Sequence, residues 1–577
     1  MRQTLTDLIR SALLQLQREG LLPADAPLEF KPDRPKEKQH GDFAVNAALV
    51  LAKPARMKPR DLAERIVAAL PPGQRDVERC EIAGPGFINF FMTRDRMRRL
   101  IPEILTAGSQ WGRSPAGAGR RVQVEFVSAN PTGPMHVGHG RGAAMGDVIA
   151  RLLAACGFQV EKEYYVNDAG AQVKVLGRSI LLRYREGFGY PVAMPEECYP
   201  GDYVKDWAVT LRNRDGDRWL EASAHATDPS LEPPPEVVEF AIAQALDEIR
   251  RDLASLDIHF DSWFSERNLH EQGGIDQAVT LLAQRDLIYE GVLEPPKGKL
   301  PEDWEARPQT LFRATRFGDE VDRPLQKSDG SYTYFAADIA YHLNKAQRGF
   351  DALINVWGAD HGGYVKRVQA ALEALTGKTG LLDVKLVQMV NLTRGGKPVR
   401  MSKRAGTFVT LREVVEETGS DAVRFWFLTR AGTSQLDFDL ELAVSRSYDN
   451  PVYYVQYAHA RVHSLWRQLK EKGWDLPRET LPGADLSPLE QDEEMGLLRL
   501  LGRYPETVEG AALSHEPHHV TYYLLELAAA FHGYYNGCRI LEEDSARRTA
   551  RLALCDAVRQ VIANGLALLG VSAPERM

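Results

Sequence analysis

Val122-Gln-Val-Glu125-Phe-Val127, the loop Ser128-Ala-Asn130-Pro131-Thr-Gly-Pro-Met-His136, and the run Val137-Gly138-His139-Gly140 that continues apolar to Ala155 decide the fold of this chain. The first segment nearly alternates apolar and polar side chains, as a strand does, and the last repeats apolar residues at helical spacing. Pro and Gly punctuate the loop between them, and Gly157 stops a helix expected from about 138 to 155. A strand is expected next at 158–166. Strand, helix and strand in that order make a βαβ unit, which implies a parallel sheet covered by helices. A second such set is expected from a strand at 352–357, a helix at 364–375 and a strand at 384–390.

On either side of these units the pattern changes. Residues 1–110 read as a self-contained α+β stretch, with helices at 2–18 and 58–70 and a strand around Gly86-Phe-Ile-Asn-Phe-Phe-Met92. Gly and Ser punctuation at 108–119 marks a linker. The stretch 180–330 carries Pro233-Pro-Pro235 and Pro295-Pro296 and reads as an insertion between two halves of a doubly wound sheet. From about 451 the chain is helical almost throughout. The expectation is a multidomain α/β protein: an additional N-terminal domain at 1–110, a Rossmann-like domain at 111–450, and an all-α domain at 451–577.

Composition sets outer limits. A chain of 577 residues allows roughly four domains or fewer, and 44% hydrophobic with 26% charged residues is ordinary for a globular protein. The five cysteines lie far apart, none at CxxC spacing, which argues against a disulfide framework or structural zinc and for a reducing compartment. Leu5, Leu8, Ile9, Leu13 and Leu16, with Asp7 and Arg10 between, form an amphipathic helix where a signal peptide would need an unbroken apolar run. A cytoplasmic monomer with no membrane contact is expected. The formal charge of −8 does not exclude a nucleic-acid partner, because phosphate affinity depends on local patches. Arg394, Lys397, Arg400, Lys403 and Arg404 form such a patch. His515-Glu-Pro-His518-His519 reads as a surface loop, since no complete ligand set accompanies it, and no metal site is expected.

His136 and His139, three apart at a helix start, can share one face. The unpaired N–H groups and partial positive charge of a helix N-terminus suit phosphate, and Gly138 and Gly140 would let a nucleotide approach the backbone. Far downstream, Arg400-Met401-Ser402-Lys403 offers cations for charge that builds on a transferring phosphate. Gly395-Gly396 and Gly406 would make that loop mobile enough to close.

In this order, the two segments resemble the HIGH and KMSK signatures of the class I aminoacyl-tRNA synthetases, with Arg400 in place of the first Lys. Val124-Glu125-Phe-Val-Ser128-Ala-Asn130-Pro-Thr-Gly-Pro, Tyr164-Tyr-Val-Asn167-Asp168-Ala-Gly170-Ala-Gln172, Gly41-Asp42-Phe-Ala-Val-Asn46, Trp357-Gly-Ala-Asp360-His361 and Ala573-Pro-Glu-Arg-Met577 are similar to the arginyl-tRNA synthetases in particular. The resemblance covers essentially the whole chain. It implies that ATP, with its Mg2+, meets Asn130, Pro131, His136, Gly138, His139, Gly140, Gly358, Asp360, Arg400, Met401, Ser402 and Lys403. His136, His139 and Lys403 would be catalytic. It further implies that Glu125, Ser128 and Asn130 hold the α-amino end of L-arginine, that Tyr334 and Asp338 meet the guanidinium, and that His361 lines the pocket. A guanidinium's planar fork of donors does call for a carboxylate and a flat neighbour.

The same resemblance makes 1–110 a contact for the elbow of tRNA(Arg) near its D-loop, and makes 451–577 a DALR-type anticodon-binding domain. Tyr453, Tyr454, Gln456, Tyr457 and His459 could stack on and hydrogen-bond unstacked bases, and Met577 is taken as a further tRNA contact. Two other readings share these motifs. A small-substrate nucleotidyltransferase would not need the helical domain. A catalytically dead RNA-binding paralogue would not need His136, His139 and Lys403 together.

Overall fold

The computed structural model describes residues 1–35, 37–71, 73, 75–230, 232–293, 307–399 and 409–577. Its centre is a five-stranded, all-parallel sheet made of β1 (Arg121–Phe126), β2 (Gln159–Val166), β3 (Ser262–Ser265), β4 (Ala352–Gly358) and β5 (Leu382–Val387), in the order β5-β4-β1-β2-β3. The chain winds outward from β1 in one direction and from β4 in the other. The crevice between the ends of β1 and β4 is therefore the topological switch point, where open α/β sheets bind ligands. Both expected βαβ sets are present. The helices are α1 (Val137–Ala155), α2 (Tyr334–Gln347), which precedes β4, and α3 (Val365–Thr376), which joins β4 to β5.

Two sequence expectations change here. The stretch 180–330 is not wholly an insertion, because it supplies β3, the edge strand beside β2. Ser262-Trp-Phe-Ser is too short and too mixed to declare itself. The alternation in β1 also does not mean one wet face: Gln123 and Glu125 are as buried as Val122, Val124 and Phe126. α1 covers the Phe126 face, where Gly146 lets it approach so closely that an added Cβ would stand 2.4 Å from the Cβ of Phe126. α2 covers the polar face.

The N-terminal residues build a three-stranded antiparallel sheet with Phe87–Met92 between Phe43–Val45 and Val77–Ala83, packed on Arg2–Arg18 and Pro59–Ala68. Leu5, Ile9, Leu13 and Leu16 are buried there, the face predicted by their spacing. After α4 (Ser420–Phe427) come α5 (Pro451–Glu471), α6 (Asp492–Ser514), α7 (His518–Gly537) and α8 (Ser545–Leu569), which form a helical bundle. α8 is long and apolar enough to cross a bilayer, yet 67% of its most apolar window is buried inside the protein.

The bundle is bound to both other parts. Arg34 pairs with Glu506 at 2.6 Å, and Arg499 with Asp42 at 2.9 Å. His515, in a left-handed conformation at the end of α6, meets Asp383 of β5 at 2.6 Å and so docks the bundle on the central sheet. Arg424 of α4, fully buried, donates to Asp147 of α1 (2.6 Å), to the carbonyl of Leu256 (2.7 Å) and to that of Leu569 at the end of α8 (2.8 Å). Gly570, at φ +67°, leaves the room that this guanidinium fills.

Candidate active site

The chain leaves β1 through a strained turn. Val127 and Ser128 have φ of 68° and 41°, a region that costs a β-branched residue dearly and is tolerated mainly at functional sites. The turn aims the Ser128 hydroxyl at Glu125 (2.9 Å) and carries Asn130 over the end of the sheet. Asp252, buried under this loop, accepts the N–H of Met135 at 3.0 Å and so fixes the start of α1. His136 is the N-cap of α1. Its Nδ1 accepts the N–H of Gly138 at 3.1 Å, and its ring stacks on that of His139 with centroids 3.6 Å apart. The two rings thus share one face, as their spacing requires.

The first turn of α1 carries no acid of its own, which leaves its N–H groups open to an anion. It opens on a cavity of about 330 Å³ lined by Asn130, Gly133, His136, His139 and Tyr203 among others. Gly140 is not part of it. An added Cβ there would stand 2.6 Å from Leu411 and 2.9 Å from Phe427, so this glycine serves helix packing and not nucleotide approach.

Arg400, Met401, Ser402, Lys403 and Gly406 lie outside the described residues, but the chain just after them does not. His136 bridges to Thr410 in antiparallel fashion, and Leu411 N–H donates to Met135 O at 2.8 Å. Two segments some 270 positions apart in sequence are thereby laid side by side. Gly395 and Gly396 are no hinge: both have positive φ, in the tight turn between Val390–Arg394 and Lys397–Pro398. Asp439 accepts both of their N–H groups, and these bonds, Gly396's foremost, hold its carboxyl down at about 2. Arg394 is engaged by Glu417 at 2.6 Å, so it adds little to a free basic patch.

A second cavity, of about 250 Å³, fills the switch-point crevice. Its walls include Glu125, Ser128, Asn130, Asp338, Gly358, His361 and Tyr364. Asn130 lines both cavities and so stands between them. Asp338 reaches the crevice from the first turns of α2 and accepts the Tyr364 hydroxyl at 2.5 Å. Burial, with smaller contributions from Glu266 and Glu125, pushes its carboxyl up to about 7.

Glu266 escaped sequence reasoning. It is buried, its Oε2 has no hydrogen-bond partner, and burial raises it too. Glu266 does not line the cavity, but it lies near enough to Asp338 to help raise it, and two carboxylates close together suit a two-pronged cation. No sequence motif marks Glu266. Tyr334 departs from expectation: its ring is 70% exposed and lies off the cavity wall, and the tyrosine on Asp338 is Tyr364. Asp360 is solvent-exposed beyond the wall, its carboxylate 3.7 Å from His361. Pro131, within the loop, is buried and lines neither cavity.

Beneath the second cavity lies a polar core. Glu163 of β2, Glu125 of β1 and Asn355 of β4 occupy one row across three adjacent strands. α2 covers this row with Lys345, which donates to Glu125 (2.5 Å) and Asn355 (3.0 Å). Arg348, just past the end of that helix, takes Glu163 at 2.6 Å. Asn355 donates to Nε2 of His342, whose Nδ1–H donates to the carbonyl of Asp338. Burial pulls His342 down to about 3, so it is neutral, in the tautomer these bonds define.

In the helical bundle the expected RNA-facing residues divide. Gln456 is buried and donates to Asp421 (2.8 Å) and Ser572 O (3.0 Å), a structural tie that removes it from any RNA surface. His459 is likewise buried, bonded to Pro574 O. Tyr457 and Met577 instead line a groove of about 450 Å³ with Arg461, Arg467, Tyr535 and Arg576. Arg461 lies over the rings of Tyr457 and Tyr535, and Tyr453 stacks on Tyr457 with centroids 5.5 Å apart.

Switch-point crevice, helix-capping histidines and appended helical bundle together define a class I aminoacyl-tRNA synthetase. The family model "tRNA synthetases class I (R), catalytic domain" matches residues 100–186, "Arginyl tRNA synthetase N terminal domain" residues 3–92, and "DALR anticodon binding domain" residues 455–577. The arginine–tRNA ligase of Magnetococcus marinus is 61% identical over the full length of both chains, and that of Methylobacterium nodulans 51% identical over 99% of this chain and 98% of its own. Among solved structures, a putative arginyl-tRNA synthetase from Campylobacter jejuni covers 83% of this chain and 99% of its own, with 33% identity and a TM-score of 0.73. The chain belongs to the arginyl-tRNA synthetase family. Methionyl-tRNA synthetase of Mycobacterium tuberculosis, at 14% identity, 78% and 91% coverage and a TM-score of 0.52, shares the fold alone.

Proposed function

We infer that this chain is an arginine–tRNA ligase, which joins ATP and L-arginine into arginyl-adenylate and then passes the arginyl group to the 3′-terminal ribose of tRNA(Arg). The observation that carries this reading is that Asn130 belongs to the walls of both cavities, which sets them side by side. An amino acid whose guanidinium reaches Asp338 and Glu266 places its carboxylate toward Asn130, facing the α-phosphate of a nucleotide seated on α1. Glu125, Ser128 and Asn130 are suited to its α-amino end, and His361 to the rim. Attack of the carboxylate on the α-phosphate expels pyrophosphate. His136, His139 and the N–H groups that open α1 stabilise the charge on the phosphates, and Lys403, with Arg400, Met401 and Ser402, is assigned to the leaving group.

No protein nucleophile is required. Magnesium would arrive on the phosphates of ATP, since the wall of the nucleotide cavity carries no carboxylate among the described residues. In this reading 1–110 and 451–577 grip the tRNA, and the groove at Tyr457, Arg461 and Met577 takes anticodon bases by stacking and charge. The protein works as a cytoplasmic monomer. The deciding experiment is aminoacylation of bulk tRNA with each labelled amino acid in turn. Arginine alone should be charged; charging of another amino acid, or of none, overturns the assignment.

A further inference from the structure

Glu125 and Glu163 stand side by side on β1 and β2, both buried. Two neighbouring carboxylates in a protein interior demand counter-ions, because desolvated charge is costly unless paired. The structure divides the task. Arg348 serves Glu163 together with the Tyr341 hydroxyl at 2.6 Å, and Lys345, whose side chain has no exposure, serves Glu125. Lys345 also holds Asn355, which holds His342, which holds the backbone of Asp338. One unbroken buried chain thus joins the carboxylate at one end of the amino-acid cavity to the backbone of the carboxylate at the other.

We propose that Lys345 is a positioning residue of the amino-acid site: it orients the Glu125 carboxylate beneath the cavity, and is itself held in place by Asn355, which His342 holds in turn. The inference rests on the reading of Glu125 as the partner of the substrate's α-ammonium. A carboxylate offers about four lone-pair positions. Lys345 and Ser128 occupy one on each oxygen of Glu125, which leaves acceptors for an ammonium that enters from the cavity. Lys345 itself lines neither cavity, so its effect must pass through Glu125.

The test uses the full-length enzyme and steady-state aminoacylation. Lys345→Met removes the charge and keeps the volume. Its arginine KM should rise by about tenfold, the worth of one charge-assisted contact, while the ATP KM stays within about twofold. The split between the arginine and ATP KM values is the readout that a general loss of structure would not produce. The other charged or titratable groups near Lys345 are Glu163 from β2, Tyr341 and His342 on its own helix, and Arg348 just past the end of that helix; they are left intact.

Glu125→Gln and the double variant Glu125→Gln/Lys345→Met complete the cycle. The double variant, with both charges gone, should fold and match the arginine KM of Glu125→Gln. If Lys345→Met does not fold, this comparison decides alone: a double variant far worse than Glu125→Gln shows that Lys345 acts by another route and overturns the proposal. An unchanged arginine KM in Lys345→Met, or equal rises for arginine and ATP, also overturns it. An unchanged arginine KM in Glu125→Gln itself would instead remove the reading of Glu125 on which the inference rests.

Discussion

Asp338 is the residue at which chemistry and stability pull apart. With its carboxyl raised to about 7 in the empty cavity, only the ionised form pairs with a guanidinium. Arginine binding should therefore weaken as pH falls through 7, by about tenfold between pH 8 and pH 6. Asp338→Asn should raise the arginine KM far more than that of ATP and abolish this pH dependence; a larger shift for ATP would move Asp338 out of the amino-acid site. The same raised carboxyl binds more protons folded than unfolded, so its contribution to stability falls as pH climbs from about 4 to 7 and stays unfavourable above. At pH 8 the Asn variant should melt at a higher temperature than the parent, as when a site holds a group for function at the cost of stability. Lys403→Ala should slow adenylate formation by about 100-fold, the usual cost of one contact to developing charge, and leave arginine binding nearly intact. Near-normal turnover would pass the role to Arg400.

Among elements, the strand–loop–helix unit at the centre was legible because its signals are local: alternation in β1, Pro and Gly in the loop, helical spacing in α1. Single residues were read less well wherever the answer depended on which face an element turns inward. Gln456 has the chemistry of a base reader, but Asp421 and Ser572 claim it on the buried side of α5. Gly140 reads as a nucleotide-facing glycine until Leu411 and Phe427 are seen against it. The Glu125–Lys345–Asn355–His342 chain draws on two strands and a helix from distant parts of the sequence, and no spacing announces it. Gly146 makes the element-scale point testable. Alanine ordinarily improves a helix interior. Here its Cβ would collide with Phe126, so Gly146→Ala should destabilise by about 2 kcal/mol, as overpacked sites do. A thermal melt at or above the parent's would show that α1 can lift off the sheet cheaply.

For the whole molecule, the family resemblance implies that RNA completes the active site: ATP–pyrophosphate exchange with arginine should need bound tRNA. That is a population shift, in which RNA favours a competent arrangement the free enzyme seldom visits. Exchange should be seen with intact tRNA and with tRNA oxidised at its terminal ribose, which binds but cannot be charged, and not without RNA. Robust exchange in its absence would remove the coupling and leave the synthetase assignment standing. Among the contacts that could carry such a signal Arg424 is the most economical, since α1, the stretch before β3 and the end of α8 all meet on one guanidinium. That bond set also limits how the gene can be cut. A chain stopped at residue 450 keeps Arg424 but loses Leu569, the last helix and the cover that excludes water from it, so the upstream piece should be recovered only as aggregate. The same two pieces made together in one cell should find each other and restore charging, because what the seam needs is the presence of its other half and not a covalent bond across it. Fragments 1–450 and 451–577 would then serve as a split enzyme whose activity reports whether its halves have met.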